Sequence, residues 1–125
     1  MKTLQTVLIT LVAVLALTAA AEASVDLWTP ALFVETDSIV ECKLTNVTTL
    51  TRTMQIRLYD ENGNLVGHFG PVPVDPLVPV VVDSAPGGGY YTCRFTVPSK
   101  AYVRAAATIF AATGSETDRV AVPAQ

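Results

Sequence analysis

Two cysteines, Cys42 and Cys93, constrain the fold of this chain more than any other feature. They lie 51 positions apart, and no C-x-x-C motif is present. A segment with the properties of an export leader precedes them, and disulfides persist in the compartments that receive exported proteins. We therefore expect one structural disulfide between Cys42 and Cys93, the alternative being two buried free thiols. Closing a loop of this size adds about 4 kcal/mol on the chain-entropy model.

Residues 1–23 are typical of a secretory signal peptide. Lys2 gives the basic start, and residues 7–21 form an uncharged run. Ala21 and Ala23 give the small-x-small pattern of a cleavage site. An uncleaved membrane anchor is the alternative, but the second half of the run is only weakly hydrophobic and no basic cluster follows it. We predict a secreted or periplasmic protein with no stable membrane insertion after the leader is cleaved.

The remaining residues, 24–125, have the usual size of one domain with one hydrophobic core. The whole chain is mildly acidic, with a formal net charge of −3. Duplex binding needs a concentrated basic surface, so we do not expect nucleic acid as a partner. No motif calls for a cofactor or a metal, and we predict neither.

Apolar and polar residues alternate along most of this domain, which is the pattern of half-buried β-strands. The alanine-rich stretch 103–111 could also be helical, but its β-branched and aromatic residues favour a strand. We predict about seven strands, namely one split by Pro30 and then 39–46, 53–60, 65–69, 80–83, 90–97 and 102–112.

Asn62 and Gly63 give the strongest turn signal, because a type I′ hairpin turn needs positive φ at both of its central residues. Asp60, Glu61 and Asn64 beside them could suggest a calcium loop, but the glycine and glutamate spacing of the EF-hand is missing. We therefore interpret this segment as a hairpin turn.

Prolines are concentrated between positions 71 and 86, which leaves room there for only one short strand. Residues 113–125 show too little alternation for a strand and are predicted to be a flexible tail, so the sandwich occupies residues 24–112. Asn46-Val47-Thr48 fits a glycosylation sequon, which we interpret as a coincidence in a threonine-rich turn.

Tyr91-Thr92-Cys93 resembles the tyrosine corner of immunoglobulin-type sandwiches, in which a tyrosine two residues before the second cysteine bonds the backbone near the start of strand F. The resemblance implies that Cys42 and Cys93 lie on strands B and F of two facing sheets. We predict an all-β fold, an immunoglobulin-like antiparallel β-sandwich of about seven strands with one inter-sheet disulfide. The chain is similar in this respect to small exported single-domain sandwiches of bacteria.

The resemblance to antibody domains is incomplete. Those domains pack a strand C tryptophan on the disulfide, whereas this chain has Ile56 there and its one tryptophan at Trp28. Antigen-type loop recognition is therefore not implied.

Catalysis has little support. His68 is the one histidine, lies in no recognised catalytic motif and is predicted to be a strand-end or loop residue. Both cysteines are expected in the disulfide, so neither is available as a nucleophile. We predict that the protein is not an enzyme, and a small hydrolase that uses His68 is the least favoured alternative.

A basic, aromatic surface is the candidate binding site. Strands C, F and G form one sheet in the immunoglobulin arrangement, so their outward side chains would share a face that no acidic side chain joins. Tyr and Arg are enriched where interfaces carry their binding energy. The predicted face consists of Arg57, Tyr59, Tyr90, Arg94, Tyr102, Arg104 and Phe110.

From this face we expect an exported, non-enzymatic binding or structural module with an acidic or π-rich partner, either a protein or a glycan. The competing interpretation is that these are ordinary solvent-facing strand residues. A second hypothesis is a loop-inserting inhibitor or accessory subunit of an envelope enzyme that uses residues 70–89.

Overall fold

The structure is a computed structural model that describes residues 23–84, 87–111 and 120–125. Within these ranges the chain forms nine β-strands and a short 3₁₀ turn at Lys100–Tyr102. The strands are β1 (Val25–Trp28), β2 (Leu32–Val34), β3 (Ser38–Asn46), β4 (Arg52–Asp60), β5 (Leu65–Val74), β6 (Val80–Asp83), β7 (Gly89–Val97), β8 (Val103–Ala111) and β9 (Val120–Pro123). Residues 1–22 of the predicted leader lie outside the described residues.

The nine strands form two antiparallel sheets. Sheet A has the order β1-β7-β4-β5, with β2 also paired to β7, and sheet B has the order β6-β3-β8-β9. No helix in the described ranges is long and apolar enough to cross a membrane. The predicted all-β, antiparallel fold is confirmed, with nine strands rather than about seven.

The core lies between the sheets and follows from the alternation in the sequence. Every second residue is buried along all of β3, from Met54 to Leu58 on β4 and from Cys93 to Val97 on β7, while the residues between them are partly or fully exposed. The largest fully buried side chain is Phe95, whose burial alone contributes about 1.5–3 kcal/mol. The largest fully buried side chains are Phe95, Leu44, Met54, Ile56, Leu58, Val34, Val40, Val74, Val97, Asn46, Cys42 and Cys93.

The disulfide links the two sheets at the centre of this core. Cys42 on β3 and Cys93 on β7 are bonded, with their Cα atoms 5.8 Å apart and both side chains fully buried. Tyr91 Oη donates to the carbonyl of Gly87 at 3.5 Å, as expected of the tyrosine corner. The predicted inter-sheet disulfide is confirmed.

The position of β8 differs from the prediction. We expected this strand beside β7 in one sheet, but it pairs with β3 in sheet B, from Ser38 opposite Ala111 to Asn46 opposite Val103. The physical reason is that β7 has only two edges, and β4 occupies one while β1 and β2 occupy the other. The backbone N–H of Val47 donates to Tyr102 O at 2.8 Å, which holds the start of β8 against the end of β3.

Strand β5 is longer than predicted. It continues from Leu65 through two prolines to Val74, because it is the edge strand of sheet A and Pro71 and Pro73 need no partner on its outer edge. Gly70 allows the irregular pairing with β4 at this point, since it has a φ of 79° and a Cβ there would lie 2.6 Å from Met54 O. Strand β6 at Val80–Asp83 lies where the sequence predicted it.

The hairpin between β4 and β5 forms at the predicted residues but in another geometry. Of the two predicted central residues of the turn, Gly63 has a positive φ, at 78°, and Asn62 does not, so the type I′ prediction is wrong. Asp60 organises the turn instead, because its Oδ1 accepts from the N–H groups of Asn62 and Asn64 at 2.9 Å each. The bond from the Asn64 N–H is the main cause that lowers the pKa of Asp60.

Residues 113–125 were predicted to be a flexible tail, and this prediction is wrong for residues 120–125. Val120–Pro123 forms β9 and pairs with β8, and Val122 packs against the core. The segment Val120–Pro123 has no polar residue to alternate with its apolar ones and ends in a proline, which is why this strand was missed. Residues 112–119 lie outside the described residues.

Candidate functional site

The candidate site is the outer face of sheet A, defined here as the side chains that alternate with the core on β1, β2, β4, β5 and β7. On β7 the residues Tyr90, Thr92 and Arg94 point outward and alternate with Tyr91 and Cys93, which face the core. On β4 the corresponding residues include Arg57 and Tyr59. Four of the seven predicted binding residues, Arg57, Tyr59, Tyr90 and Arg94, therefore share this face.

A row of side chains crosses the outer face from one edge to the other. Trp28 on β1 is directly opposite Arg94 on β7. Arg94 is opposite Arg57 on β4, which is in turn opposite His68 on β5. We call these four residues the cross-strand row. Two arginines stand side by side in it, an arrangement that is unfavourable for a sheet by itself.

Arg94 is held in place by an acidic partner and an aromatic ring. Its Nη2 donates to Asp26 Oδ2 at 2.6 Å, and its Cζ lies 5.1 Å from the centre of the Trp28 ring. Thr96 Oγ1 donates to the other carboxylate oxygen at 2.7 Å. The hydrogen bond from Arg94, followed by that from Thr96, lowers the pKa of Asp26. We expected no acidic side chain on this face, so the presence of Asp26 is a correction.

Among the described residues, Arg57 has no carboxylate partner like the one that neutralises Arg94. It forms no hydrogen bond or salt bridge within residues 23–84, 87–111 and 120–125, although its charge contributes slightly to the lowered pKa of Asp26. His68 on its other side is exposed and has no hydrogen-bond partner in the same ranges. The centre of the outer face thus carries a guanidinium group available to an anion.

Two aromatic pairs flank the cations. Trp28 and Tyr59 are stacked, with ring centres 6.1 Å apart and an angle of 26° between their planes. Phe33 and Tyr90 meet edge to face at 5.4 Å. Trp28, Phe33 and Tyr90 expose 44%, 59% and 50% of their surface, so these rings present large apolar areas to solvent.

Tyr102, Arg104 and Phe110 do not belong to this face, and their assignment to it is wrong. Arg104 and Phe110 lie on β8 of sheet B, and Tyr102 lies in the turn before it. Arg104 is opposite Thr45, Phe110 is opposite Ile39, and Tyr102 packs under the guanidinium of Arg52 at 4.4 Å. The error follows from the position of β8, which we expected beside β7.

Sequence reasoning missed Trp28, Phe33 and His68. The alternation of Asp26 and Trp28 around buried Leu27 was a usable signal that Trp28 faces outward. It could not show that β1 pairs with β7, because the immunoglobulin arrangement places the first strand in the other sheet. His68 lies in the middle of β5, not at a strand end or in a loop as predicted.

An open cavity adjoins the outer face. It has a volume of about 190 Å³ and is lined in part by Thr53, Gln55 and Thr96, next to Asp26. A further open cavity, of about 340 Å³, is lined by Lys100, Arg104 and, from β1 of sheet A, Leu27. The outer face itself is open, so it suits a flat or extended partner better than an enclosed small molecule.

Asn46 of the sequon is a structural residue. It is fully buried, and its Nδ2 donates to Leu50 O at 2.8 Å and to Val74 O at 2.9 Å. Its Oδ1 accepts from the N–H and the hydroxyl of Thr48. The folded protein leaves this side-chain nitrogen no hydrogen for a glycan linkage.

Comparisons with known proteins show the fold alone. No family model and no curated protein matches the sequence. Among solved structures the chain is similar to Thermotoga maritima 1070, with 10% sequence identity and a TM-score of 0.54 over 80% of this chain and 91% of that one. A weaker similarity to FlgD from P. aeruginosa has 11% identity and a TM-score of 0.31 over 84% of this chain and 74% of that one. The first similarity supports a small β-rich fold.

Proposed function

We propose that the protein is an exported, non-enzymatic binding module whose partner lies against the outer face of sheet A. The observation that carries this proposal is the cross-strand row, in which Arg57 stands between Arg94 and His68 without a carboxylate of its own. Like charges directly opposite each other destabilise a sheet, and such local conflicts are expected at functional sites. An anionic group of a partner would remove the conflict.

The chemistry of the face defines the class of partner. Arginine, tyrosine and tryptophan are the residues most enriched at binding hot spots. A guanidinium prefers carboxylates and electron-rich rings. The partner is therefore acidic or π-rich, either a protein surface or a glycan.

The proposed compartment is secreted or periplasmic. The buried disulfide between Cys42 and Cys93 fits a protein that folds outside the reducing cytoplasm. The signal-peptide pattern of residues 1–23 supports the same compartment.

The test is partner capture from cell envelope and culture fluid with three immobilised proteins. They are the wild type, Arg57→Glu on the outer face of sheet A, and Arg104→Glu as a matched control on sheet B. Both variants make the same charge change at a strand position that faces solvent. We expect Arg57→Glu to lose the partner and Arg104→Glu to retain it. Equal recovery on all three proteins would refute the proposal.

A loop-inserting inhibitor or accessory subunit is the second candidate, and Leu77 favours it. This residue exposes 72% of its surface and has a φ of 61°, which is unusual for a branched side chain. Its N–H donates to Asn46 O at 2.8 Å, and prolines at 76 and 79 stiffen the loop on both sides. The loop therefore presents an apolar side chain to solvent in a fixed position.

Substitution separates the two candidates. In this second case Leu77→Ser abolishes inhibition or assembly of the partner enzyme, while Arg57→Glu has no effect. Val81→Ser is the control, because Val81 is also exposed but lies on β6. An unchanged effect in Leu77→Ser excludes the loop.

A further inference from the structure

We infer that the ligand of the outer face is a polysaccharide that carries carboxylate groups, such as a uronic-acid polymer. This inference rests on the proposed function and names the ligand class of the same face. It follows from the spacing of the aromatic pairs, from the composition of the face and from its charges.

The spacing of the aromatic pairs calls for an extended ligand. Trp28 and Tyr59 lie opposite Arg94 and Thr92 of β7, and the Phe33–Tyr90 pair lies two to four residues further along that strand. At roughly 3.3 Å per residue this places the second pair about 7 to 13 Å from the two members of the first. A ligand that contacts both pairs must be longer than one sugar ring. The open cavity next to Asp26 lies further along β7, at the end away from Tyr90, and lengthens the surface that such a ligand could contact.

The composition of the face favours a sugar over a protein surface. At the outward positions of β1, β4 and β7 the side chains are aromatic, cationic, acidic, hydroxyl or amide, and an aliphatic side chain joins them only from the edge strand β5, where Leu65 lies opposite Tyr59 and exposes 51% of its surface. Those positions are Asp26, Trp28, Thr53, Gln55, Arg57, Tyr59, Tyr90, Thr92, Arg94 and Thr96. The buried centre of a protein interface is more apolar than this. A pyranose ring, by contrast, offers a C–H face to an aromatic ring and hydroxyl groups to Thr and Gln.

The charges favour carboxylates spaced along the ligand. Asp26 already pairs with Arg94, so one guanidinium, that of Arg57, remains for an anion at the centre of the face. Its planar fork matches a carboxylate through two parallel hydrogen bonds. A nucleic acid would bring a phosphate with every base, and a chain of net charge −3 with one uncompensated arginine here is poorly matched to that density.

Trp28 provides a direct readout, because it is the one tryptophan of the chain and lies in the proposed site. The full-length exported protein is titrated with polygalacturonate, alginate and hyaluronan while the tryptophan emission is followed. Uncharged dextran, poly-L-glutamate and oligo-dT are the comparison probes. We expect a saturable change in emission with at least one uronic-acid polymer and a weaker or absent change with the comparison probes.

Variants test the mode of binding. Arg57→Gln should weaken binding of that polymer roughly 10- to 100-fold, as expected for a lost charge-assisted pair. Arg104→Gln, on the other sheet, should leave binding unchanged. Phe33→Ala should weaken binding of the polymer but not of a single uronic acid, because one sugar ring cannot contact both aromatic pairs. Circular dichroism confirms that each variant is folded.

Each outcome decides the inference. No response to any uronic-acid polymer, or an unaltered affinity in Arg57→Gln, overturns it. Tighter Arg57-dependent binding of poly-L-glutamate also overturns it but leaves the proposed binding module intact, since a protein carboxylate surface is then the partner. Tighter binding of oligo-dT overturns it in favour of a nucleic acid. The proposed function fails separately, when partner capture is insensitive to Arg57→Glu.

Discussion

Trp28 and Gln125 hydrogen-bond to each other through both of their backbone groups. The Trp28 N–H donates to Gln125 O at 3.0 Å, and the Gln125 N–H donates to Trp28 O at 3.1 Å. Trp28 is therefore held on one side by β7 and on the other by the residues that follow β9. Ala124 N–H donates to Ala105 O at 3.0 Å, so this contact also joins the edge of sheet B to the edge of sheet A. The half-exposed Trp28 ring of the candidate site thus rests on a backbone that is hydrogen-bonded to another strand edge.

Deletion of residues 120–125 should release Trp28 and weaken the fold. The loss of Val122 from the core and of the paired backbone groups should lower the free energy of unfolding by about 2 kcal/mol. The tryptophan emission should shift to the red, because the ring becomes more solvated. Gln125→Ala is the control, since it keeps the backbone bonds. Urea unfolding followed by fluorescence measures both effects, and a deletion that behaves like the control would contradict the contact.

The ion pair between Asp26 and Arg94 predicts a dependence of stability on pH. The pKa of Asp26 is lowered from its ordinary value of 3.8, so its contribution to stability is fully present above that value and is lost as the pH falls through the folded-state pKa. Wild type should therefore exceed Asp26→Asn in stability at pH 6, and the difference should shrink below about pH 4. Urea unfolding of both proteins from pH 2 to pH 6 measures this difference, and a constant difference across the range would contradict the assignment.

Arg57→Gln should make the protein slightly more stable. It removes a positive charge that lies directly opposite Arg94 and next to His68. Relief of this repulsion should raise the melting temperature by roughly 1–4 °C at low salt, with a smaller gain at high salt. Differential scanning calorimetry of the two proteins tests this, with Arg104→Gln as the control that should show no gain. A lower melting temperature in Arg57→Gln would mean that Arg57 stabilises the sheet.

Asn46→Ala should be strongly destabilising. The substitution leaves the carbonyls of Leu50 and Val74 without their side-chain donor and removes the acceptor that Thr48 uses. Losses of this kind in a buried position amount to about 2–4 kcal/mol. Thr49→Ala, at an exposed position of the same loop, should change stability little. Equal unfolding midpoints for the two variants would contradict the structural role of Asn46.

The core could be predicted from the sequence because two local signals agree there. The alternation around Cys42 and Cys93 identified which side chains face inward, and the cysteine pair identified which strands lie in facing sheets. Strand pairing carries no comparable local signal. The sequence of β8 fits either sheet, and only the occupation of both edges of β7 by other strands decides that it pairs with β3.

The candidate site was predicted only in part for the same reason. Arg57, Tyr59, Tyr90 and Arg94 lie on β4 and β7, which pair in one sheet as the immunoglobulin resemblance implied. Trp28, Phe33 and His68 join them through the pairing of β1, β2 and β5, which involves edge strands that are short or contain prolines. Local sequence patterns are weakest in such strands.

The most direct test of the binding face compares Arg57→Glu with Arg104→Glu against the fraction eluted from the immobilised wild-type protein. The measured quantity is the dissociation constant of each protein for that fraction. We predict a large loss of affinity for Arg57→Glu and an affinity close to wild type for Arg104→Glu. Equal affinities in the two variants, whether both retained or both lost, would contradict the assignment of binding to the outer face of sheet A.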